Sequence, residues 1–306
     1  MIHHVFANRS NVGDWLSARG IQFLLRPHGV REHLCDEPFV EETLTELRGA
    51  GPEDLIVIGG GGLFMDYFVP FWQGFAEVTD RVPFCLWGVG YCDMKRECSR
   101  PPAELLAGIV KRSRVCSVRD ELTRRQLAGC ALPPPVACPT VALIEERPAG
   151  FGLLHVDAFD NVGETNYERM NALGAEFSRA TGRPFRTLNN LIPAGREGAL
   201  QSVLDSYAAS DLILTGRLHG CVIGLAMGRK VLALSGDHKV ESFMEAAGLG
   251  DWVLDLPRVE ELSERLRALP GQPVPREFVV AARRGNQAIA ARVLALLAPG
   301  ASAAPA

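Results

Sequence analysis

Residues 211–235 read DLILTGRLHGCVIGLAMGRKVLALS, and this stretch indicates what kind of sheet the chain builds. Residues 211–216 predict a strand, 217–228 an apolar helix and 230–235 a second strand. Strands this apolar are buried on both faces, which is typical of parallel sheets covered by helices. We therefore expect one strand–helix–strand unit of an α/β fold.

Arg217 and His219 stand where the first of these strands meets the helix. We expect Thr215 or Gly216 to cap the helix, which places both side chains in its first turn. The free N–H groups and dipole of a helix N-terminus favour an anion, and Arg217 adds a two-pronged cation. The same field lowers the pKa of His219, which suits a proton acceptor. A structural interpretation, with a capping arginine and a packed histidine, is equally open at this point.

The same alternation of apolar strands and helices runs along the whole chain and pauses only at the proline-rich residues 138–150. We predict an α/β protein of two doubly wound Rossmann-like domains, residues 1–147 and 148–297, the second ending in a long helix. Residues 298–306 are expected to form a disordered tail. The carboxyl strand ends of both domains should face one cleft, where open α/β sheets bind ligands.

The overall composition excludes several classes of protein. The chain has 306 residues, is 47% hydrophobic and carries a formal charge of −4, so it lacks the basic surface that a nucleic-acid partner requires. Its eight cysteines follow no repeating spacing, which favours free thiols over a disulfide framework or a metal site. Neither a secretory signal nor a membrane span is expected. We predict a cytoplasmic protein and leave open peripheral contact with the inner membrane face and self-association.

A run of four glycines follows another apolar strand, within IGGGGLF at residues 58–64. Gly60, Gly61 and Gly62 could let the backbone approach a ligand closely and offer N–H groups to a phosphate. The run does not match G-x-G-x-x-G in context, and no P-loop lysine follows it. A tight turn that permits close contact between the domains is an equal alternative.

Three further candidate groups lie at predicted strand ends. In NRSNVGD, residues 8–14, Asn11 and Gly13 suit an unusual turn and Asp14 is a candidate N-cap. In SVRD, residues 117–120, Arg119 is either a cation for the cleft or the partner of a capping aspartate. The last candidate, the lysine of SGDHK, is described with the family below.

Taken together and in order, these segments resemble the polysaccharide pyruvyltransferase family. The matching segments are NVGD (11–14), IVIGGGGLF (56–64), LWGVG (86–90), SVRDELTRRQL (117–127) and LTGRLHGCVIGLAMGRKVLAL (214–234), with Lys239 beyond them. The resemblance spans about residues 8 to 250, and SVRD and RLHG are its most specific parts. It implies the two-domain architecture of GT-B glycosyltransferases, which agrees with the fold predicted from the residues.

The resemblance implies a reaction that moves the enolpyruvyl carbons of phosphoenolpyruvate onto a sugar, with loss of phosphate. In this hypothesis phosphoenolpyruvate is a co-substrate, no other cofactor or metal is needed, and the sugar acceptor could be lipid-linked. The resemblance implies three sets of roles. His219 is the acid/base group, with Arg217 beside it. The donor is bound by Arg217, Gly216, Lys239 and Arg119, and the acceptor side is formed by Asn11, Gly13, Asp14, Gly60, Gly61 and Gly62.

The chain departs from the family pattern in two places. Where many members carry an acidic residue before a proline, this chain has Cys138 before Pro139, and SGDHK at 235–239 lacks an aromatic residue before the lysine. Two alternatives to pyruvyl transfer stay open. One is a GT-B glycosyltransferase that uses a nucleotide-sugar, and the other is a non-catalytic module of the same fold that binds a sugar or a phosphate.

Overall fold

The computed structural model describes residues 1–95, 100–157 and 159–297, and these residues form two parallel sheets with helices on their faces. The first sheet contains β1 (Ile2–Phe6), β2 (Val30–Leu34), β3 (Leu55–Phe64), β4 (Phe84–Tyr91) and β5 (Val115–Val118). The second contains β6 (Leu153–Val156), β7 (Phe185–Leu188), β8 (Leu212–Thr215), β9 (Lys230–Ser235) and β10 (Val253–Asp255). The predicted α/β class with two Rossmann-like sheets is confirmed.

The helices of the first half are α1 (Val12–Leu25), α2 (Val40–Arg48), α3 (Val69–Ala76), α4 (Ala103–Arg112), α5 (Glu121–Gln126) and α6 (Thr140–Leu143). Those that follow are α7 (Phe159–Val162), α8 (Glu164–Thr181), α9 (Glu197–Ala208), α10 (Leu218–Ala226), α11 (His238–Ala246), α12 (Leu262–Ala268) and α13 (Arg276–Ala295). Short 3-10 turns lie between some of them, including Glu37–Phe39 and Asp66–Phe68. In the part of the chain that the structure describes, no helix has an apolar stretch long enough to cross a membrane.

Both sheets have the same strand order. The first runs β2-β1-β3-β4-β5, and the second, counted from its own first strand, repeats that order as β7-β6-β8-β9-β10. Neighbouring strands in both sheets are parallel. In such sheets the second strand is added on one side of the first strand and the third strand on the other side. This switch opens a crevice at the carboxyl ends of the first and third strands. The crevices therefore lie at the ends of β1 and β3 and of β6 and β8.

Backbone contacts across the cleft hold the two sheets together on both sides. On one side Val12 N donates to Asn190 O at 2.9 Å, and on the other Lys95 N donates to Gly236 O at 3.0 Å. The long helix α13, predicted from residues 277–297, packs back against the first sheet, where Trp87 Nε1 donates to Asn286 Oδ1 at 2.8 Å. No observation tests the predicted boundary at residue 147, and the predicted tail 298–306 lies outside the described residues.

The structure corrects three local predictions. The glycine run lies inside β3 and not in a turn after it, because pairing with β4 continues through an irregularity between Gly61 and Phe64. Helix α1 is capped by Asn11, whose side chain accepts from Gly13 N at 2.9 Å, so Asp14 lies in the first turn instead. The N-cap of α10 is Arg217, neither Thr215 nor Gly216.

Candidate active site

A cavity of about 390 Å³ lies between the carboxyl ends of the two sheets. Of the residues predicted for the site, Asn11, Asp14, Gly62, Arg119, Arg217, His219 and Lys239 line it. Gly62 lies inside β3, and the others come from the loops and helices that follow β1, β5, β8 and β9. Residues that are far apart in the sequence meet here because parallel strands end at the same edge of each sheet.

Helix α10 begins at the cavity and places His219 in its first turn. Its N-cap is tied to β8 by Thr215 Oγ1, which accepts from Arg217 N at 3.0 Å. The Arg217 guanidinium is held by the carbonyl of Asp157 and by Asp160 Oδ2, at 2.9 Å from Nη2. Residues after β6 therefore orient this cation, while Gly216 O accepts from Asn161 Nδ2 at 3.2 Å and stays beside the turn.

Arg119 is the most deeply buried cation at the cavity, with 5% of its surface exposed. Its Nε donates to Asp120 Oδ2 at 3.2 Å, and Asp120 in turn caps α5 through Thr123 N at 2.8 Å. The ion pair and the cap that were offered as a structural alternative are therefore both present. Arg119 Nη2 is nevertheless buried without a hydrogen-bond partner among the described residues. A buried N–H of this kind is costly unless an anion or water satisfies it, so the cavity fits an anion at this atom.

Lys239 lies in the first turn of α11 and reaches across the cleft. Its Nζ is 2.5 Å from Asp237 Oδ2 and 3.4 Å from Cys92 Sγ, on the opposite sheet. Burial opposes its charge, but Cys92 and Asp237 outweigh this and raise the pKa of Lys239 to about 12. The lysine is therefore a fixed positive charge.

His219 is neutral in the unliganded cavity. Burial lowers the pKa of its imidazole to about 3, with further lowering from Arg119, Lys239 and Arg217. An anion bound among those three cations would cancel part of their repulsion and raise this pKa. An anion bound on the cationic side of the cavity therefore favours protonation of the histidine.

The imidazole is positioned by Cys138, which the sequence analysis did not assign to the site, and by Gly13, which it assigned to the acceptor side. Its Nε2 is 3.5 Å from the Sγ atom of Cys138, which also lies 3.1 Å from Ser17 Oγ. On its other edge, a Cβ built on Gly13 would lie 2.0 Å from His219 Nδ1. Gly13 therefore makes room for the histidine.

Asp14 is a second titratable group at the cavity with a shifted pKa. Burial raises the pKa of its carboxyl to about 6, although Arg119 and Lys239 act in the opposite direction. A Cβ on Gly61 would lie 2.6 Å from Asp14 Oδ1, and Gly61 itself has a φ of +105°. Gly61 is therefore required for both its backbone and the space it leaves.

The remaining glycines of the run serve different purposes. A Cβ on Gly60 would lie 1.9 Å from Ser17 Oγ, which places Gly60 against α1 and away from the cavity. Gly62 lines the cavity, where a Cβ would lie 2.4 Å from Cys92 Sγ and 3.5 Å from Arg119 Nη2. The run thus keeps side chains clear of the site residues.

Several lining residues were not singled out from the sequence: Asn8, Asp36, Met65, Tyr67, Phe68, Cys92, Met94, Asp160, Asn161, Asn190 and Leu218. Most follow strand ends as isolated polar or aromatic residues, a pattern that loops outside active sites share. Among the described residues, no group of three or more histidine, cysteine, aspartate or glutamate side chains could hold a metal ion.

Residues 8–238 match the family described as polysaccharide pyruvyl transferase. The chain belongs to this family. The family is one of transferases, and every described cavity-lining residue except Lys239 lies within the matched residues. A search of curated proteins found no match.

Solved structures with a similar architecture include UDP-N-acetylglucosamine 2-epimerases. The enzyme from Methanocaldococcus jannaschii, solved with UDP-GlcNAc and UDP, is 11% identical with a TM-score of 0.57, over 96% of this chain and 99% of that one. The enzyme from Neisseria meningitidis, bound to UDP-GlcNAc, is 10% identical with a TM-score of 0.55, over 97% and 98%. At such low identity the likeness shows the fold alone, and that fold is the predicted GT-B-like one.

Proposed function

We propose that this protein transfers the enolpyruvyl carbons of phosphoenolpyruvate to a sugar and forms a pyruvate ketal. The observation that carries the proposal is the convergence of Arg119, Arg217 and Lys239 on one cavity around a neutral histidine. Phosphoenolpyruvate carries a phosphate and a carboxylate, so three fixed cations and the N-terminus of α10 match its charge.

The reaction balances with the groups present. The methylene carbon of the donor gains a proton and becomes a methyl group, which leaves an oxocarbenium-like centre at the adjacent carbon. One sugar hydroxyl adds to that carbon and loses its proton. The carbon–oxygen bond to phosphate then breaks, and a second hydroxyl adds and loses its proton. Of the two protons released, one replaces the proton given to the methylene and the other leaves with phosphate.

The two shifted pKa values suggest how these protons move. In this proposal His219 delivers the proton to the methylene carbon, because the bound donor anions raise its pKa from the low value of the empty cavity. Asp14 accepts the proton of the attacking hydroxyl, since a carboxyl with a pKa of about 6 is ionised at neutral pH and is more basic than an ordinary aspartate.

The donor cations have distinct parts in the proposal. Arg119 donates from Nη2 to one donor anion, while Arg217 stays bonded to Asp160 and places its charge at the N-terminus of α10. Lys239 supplies charge from the opposite side of the cleft and balances the leaving phosphate. Because phosphoenolpyruvate is a cytoplasmic metabolite, the proposal places the reaction in the cytoplasm.

The test is to incubate the protein with phosphoenolpyruvate and a panel of nucleotide-linked and lipid-linked sugars, following phosphate release and product mass. We expect a ketal product with wild-type protein and a loss of roughly 10²–10⁴ in rate for His219→Ala. The exposed His28 gives a matched control, since His28→Ala should retain full rate. Turnover of a nucleotide-sugar with no response to phosphoenolpyruvate would reject the proposal in favour of a glycosyltransferase.

A further inference from the structure

The cavity differs in charge from one side to the other. Strand order places Asp36, after β2, at one edge of the first sheet, and Arg119, after β5, at the opposite edge. Apart from Met65, the described lining residues on the Asp36 side are acidic, aromatic or amide-bearing, whereas all the described lining cations belong to the Arg119 side or to the second sheet. The donor's two anions are therefore disfavoured on the Asp36 side, which leaves it for another ligand.

Tyr67 presents a fixed aromatic face on that side. Its hydroxyl donates to Asp36 Oδ1 at 2.5 Å and accepts from Glu37 N at 3.3 Å, while its ring meets Phe68 edge-on at 4.9 Å. The residue is still 44% exposed and lines the cavity. A ring held at both ends loses little conformational entropy when a ligand stacks on it. The C–H face of a pyranose suits such a ring.

The lining of the same cavity offers several acceptor atoms. Asn190 Oδ1 is buried, in a residue only 1% exposed, and has no hydrogen-bond partner among the described residues. The carboxyls of Asp14 and Asp36 add further acceptor oxygens. Hydroxyl groups are the natural donors to such a set, and a buried acceptor left unpaired costs free energy.

Two carboxylates on one side of a cavity also repel negative charge. Asp36 already contributes to the raised pKa of Asp14, so both carboxylates would repel a ligand carboxylate or diphosphate bound there. The ligand that fits is therefore rich in hydroxyls, has an apolar face and carries no negative charge, as is the case for an uncharged pyranose.

We propose that Tyr67, Asp36 and Asn190 form the acceptor subsite, and that the sugar unit bound there is an uncharged pyranose stacked on Tyr67. This inference rests on the proposed function, because it names the acceptor class of the same cavity. It places the attacking hydroxyls beside Asp14, between the stacked ring and the donor cations.

The test uses saturation-transfer difference NMR with methyl glycosides of glucose, galactose, mannose, N-acetylglucosamine and glucuronic acid. At least one uncharged glycoside should bind wild-type protein more tightly than the glucuronide. Tyr67→Ala should weaken it roughly tenfold or more, the loss expected for an aromatic contact, and Tyr67→Phe should retain most of the binding. Absence of any binding, a preference for the glucuronide, or insensitivity to Tyr67→Ala would overturn the inference.

Calorimetry with phosphoenolpyruvate on the same three proteins separates this inference from the proposed function. All three should bind phosphoenolpyruvate with affinities within about twofold, because the side chain of Tyr67 contacts Asp36, Glu37 and Phe68 and is not one of the donor cations. Donor binding together with glycoside binding that ignores Tyr67 would reject the subsite alone. Failure of all three proteins to bind the donor would reject the proposed function, and the acceptor assignment with it.

Discussion

His219 occupies the space that a side chain on Gly13 would need: a Cβ at position 13 would lie 2.0 Å from the imidazole Nδ1. Gly13 is the second residue of α1 and His219 is the second residue of α10. The first turns of α1, which packs on the first sheet, and of α10, which packs on the second, therefore meet at the histidine. A residue without a side chain in the first half of the chain determines where the proposed acid/base group of the second half can stand.

Gly13→Ala should displace the imidazole and lower kcat by roughly 10²–10⁴, the usual contribution of a positioned acid/base group. The fold should survive, because alanine favours a helix more than glycine does. The matched control is Gly198→Ala, at an exposed position of α9 with no atom within 4 Å of the added Cβ. We expect the control to keep full activity in a phosphate-release assay, and an active Gly13→Ala enzyme would contradict the role of His219.

Cys138 should act as a positioning residue through its contact with His219 Nε2. Cys138→Ala removes that contact and should lower kcat by roughly 3–10-fold, the value of one modest hydrogen bond, with little change in KM for phosphoenolpyruvate. Cys138→Ser, which retains a donor and acceptor, should recover part of the loss. A purely structural role would instead change thermal stability while leaving the pH profile of kcat unchanged.

Asp14 should set the acidic limb of the activity profile, because its carboxyl must be ionised to accept a proton. Activity should fall as the pH drops through about 6, the raised pKa of Asp14. Asp14→Asn should be nearly inactive and yet more stable at pH 8, by roughly 1–3 kcal/mol at about 1.4 kcal/mol per pKa unit.

The sign follows from the raised pKa: the folded carboxyl holds its proton more tightly than the unfolded one, so ionisation above pH 6 destabilises the fold. The stability difference should therefore shrink as the pH falls toward 4. Urea unfolding at both pH values measures it, with Asp80→Asn as the control at an exposed carboxyl. Equal stability of wild type and Asp14→Asn at pH 8 would contradict the burial argument.

Arg119→Lys should weaken donor binding although it keeps the charge, because an ammonium lacks the second prong of the guanidinium. We expect the KM for phosphoenolpyruvate to rise roughly 10–100-fold, the range for a charge-assisted hydrogen bond. Arg124 provides the control, since it pairs with Glu121 on the exposed face of α5. If Arg124→Lys and Arg119→Lys bind the donor equally well in calorimetry, Arg119 does not hold it.

Two buried histidines in the first sheet, His3 on β1 and His33 on β2, should make the stability of the protein sensitive to acid. His3 Nδ1 is 2.9 Å from His33 Nε2, and burial lowers the pKa of His33 to about 4 and lowers that of His3. The folded protein then binds fewer protons than the unfolded chain below pH 6.5, so stability should fall as the pH drops from 6.5 toward 4. His33→Gln should flatten this dependence in urea titrations, and an unchanged slope would contradict it.

Much of the fold was predictable because its strands are short, apolar and flanked by glycine or capping residues. Strands β8 and β9 follow the runs predicted at residues 211–216 and 230–235, and α13 covers nearly all of residues 277–297. Strand β2 was missed because VREHL at the edge of the sheet is polar and lacks the apolar pattern of a central strand. The glycine run was predicted to follow the strand, as a ligand loop or a tight turn, because a pattern of glycines does not reveal that a partner strand continues beside it.

The site was predictable only in part. Arg217 and Arg119 could be placed because strand ends in parallel sheets converge, a rule that needs no side-chain contact. The role of Gly13 in admitting His219, and the contact of Cys138 with the same ring, depend on how two sheets approach each other. That approach is set by packing between distant segments, which no local pattern records.

The central claim, transfer of the enolpyruvyl carbons with phosphate as leaving group, can be tested with phosphoenolpyruvate labelled with heavy oxygen at the bridge between carbon and phosphorus. In pyruvyl transfer the carbon–oxygen bond breaks, so the released phosphate should carry the label and the sugar product should carry the pyruvate ketal. Label retained in free pyruvate, with unlabelled phosphate or a phosphorylated sugar, would show cleavage at phosphorus and contradict the account.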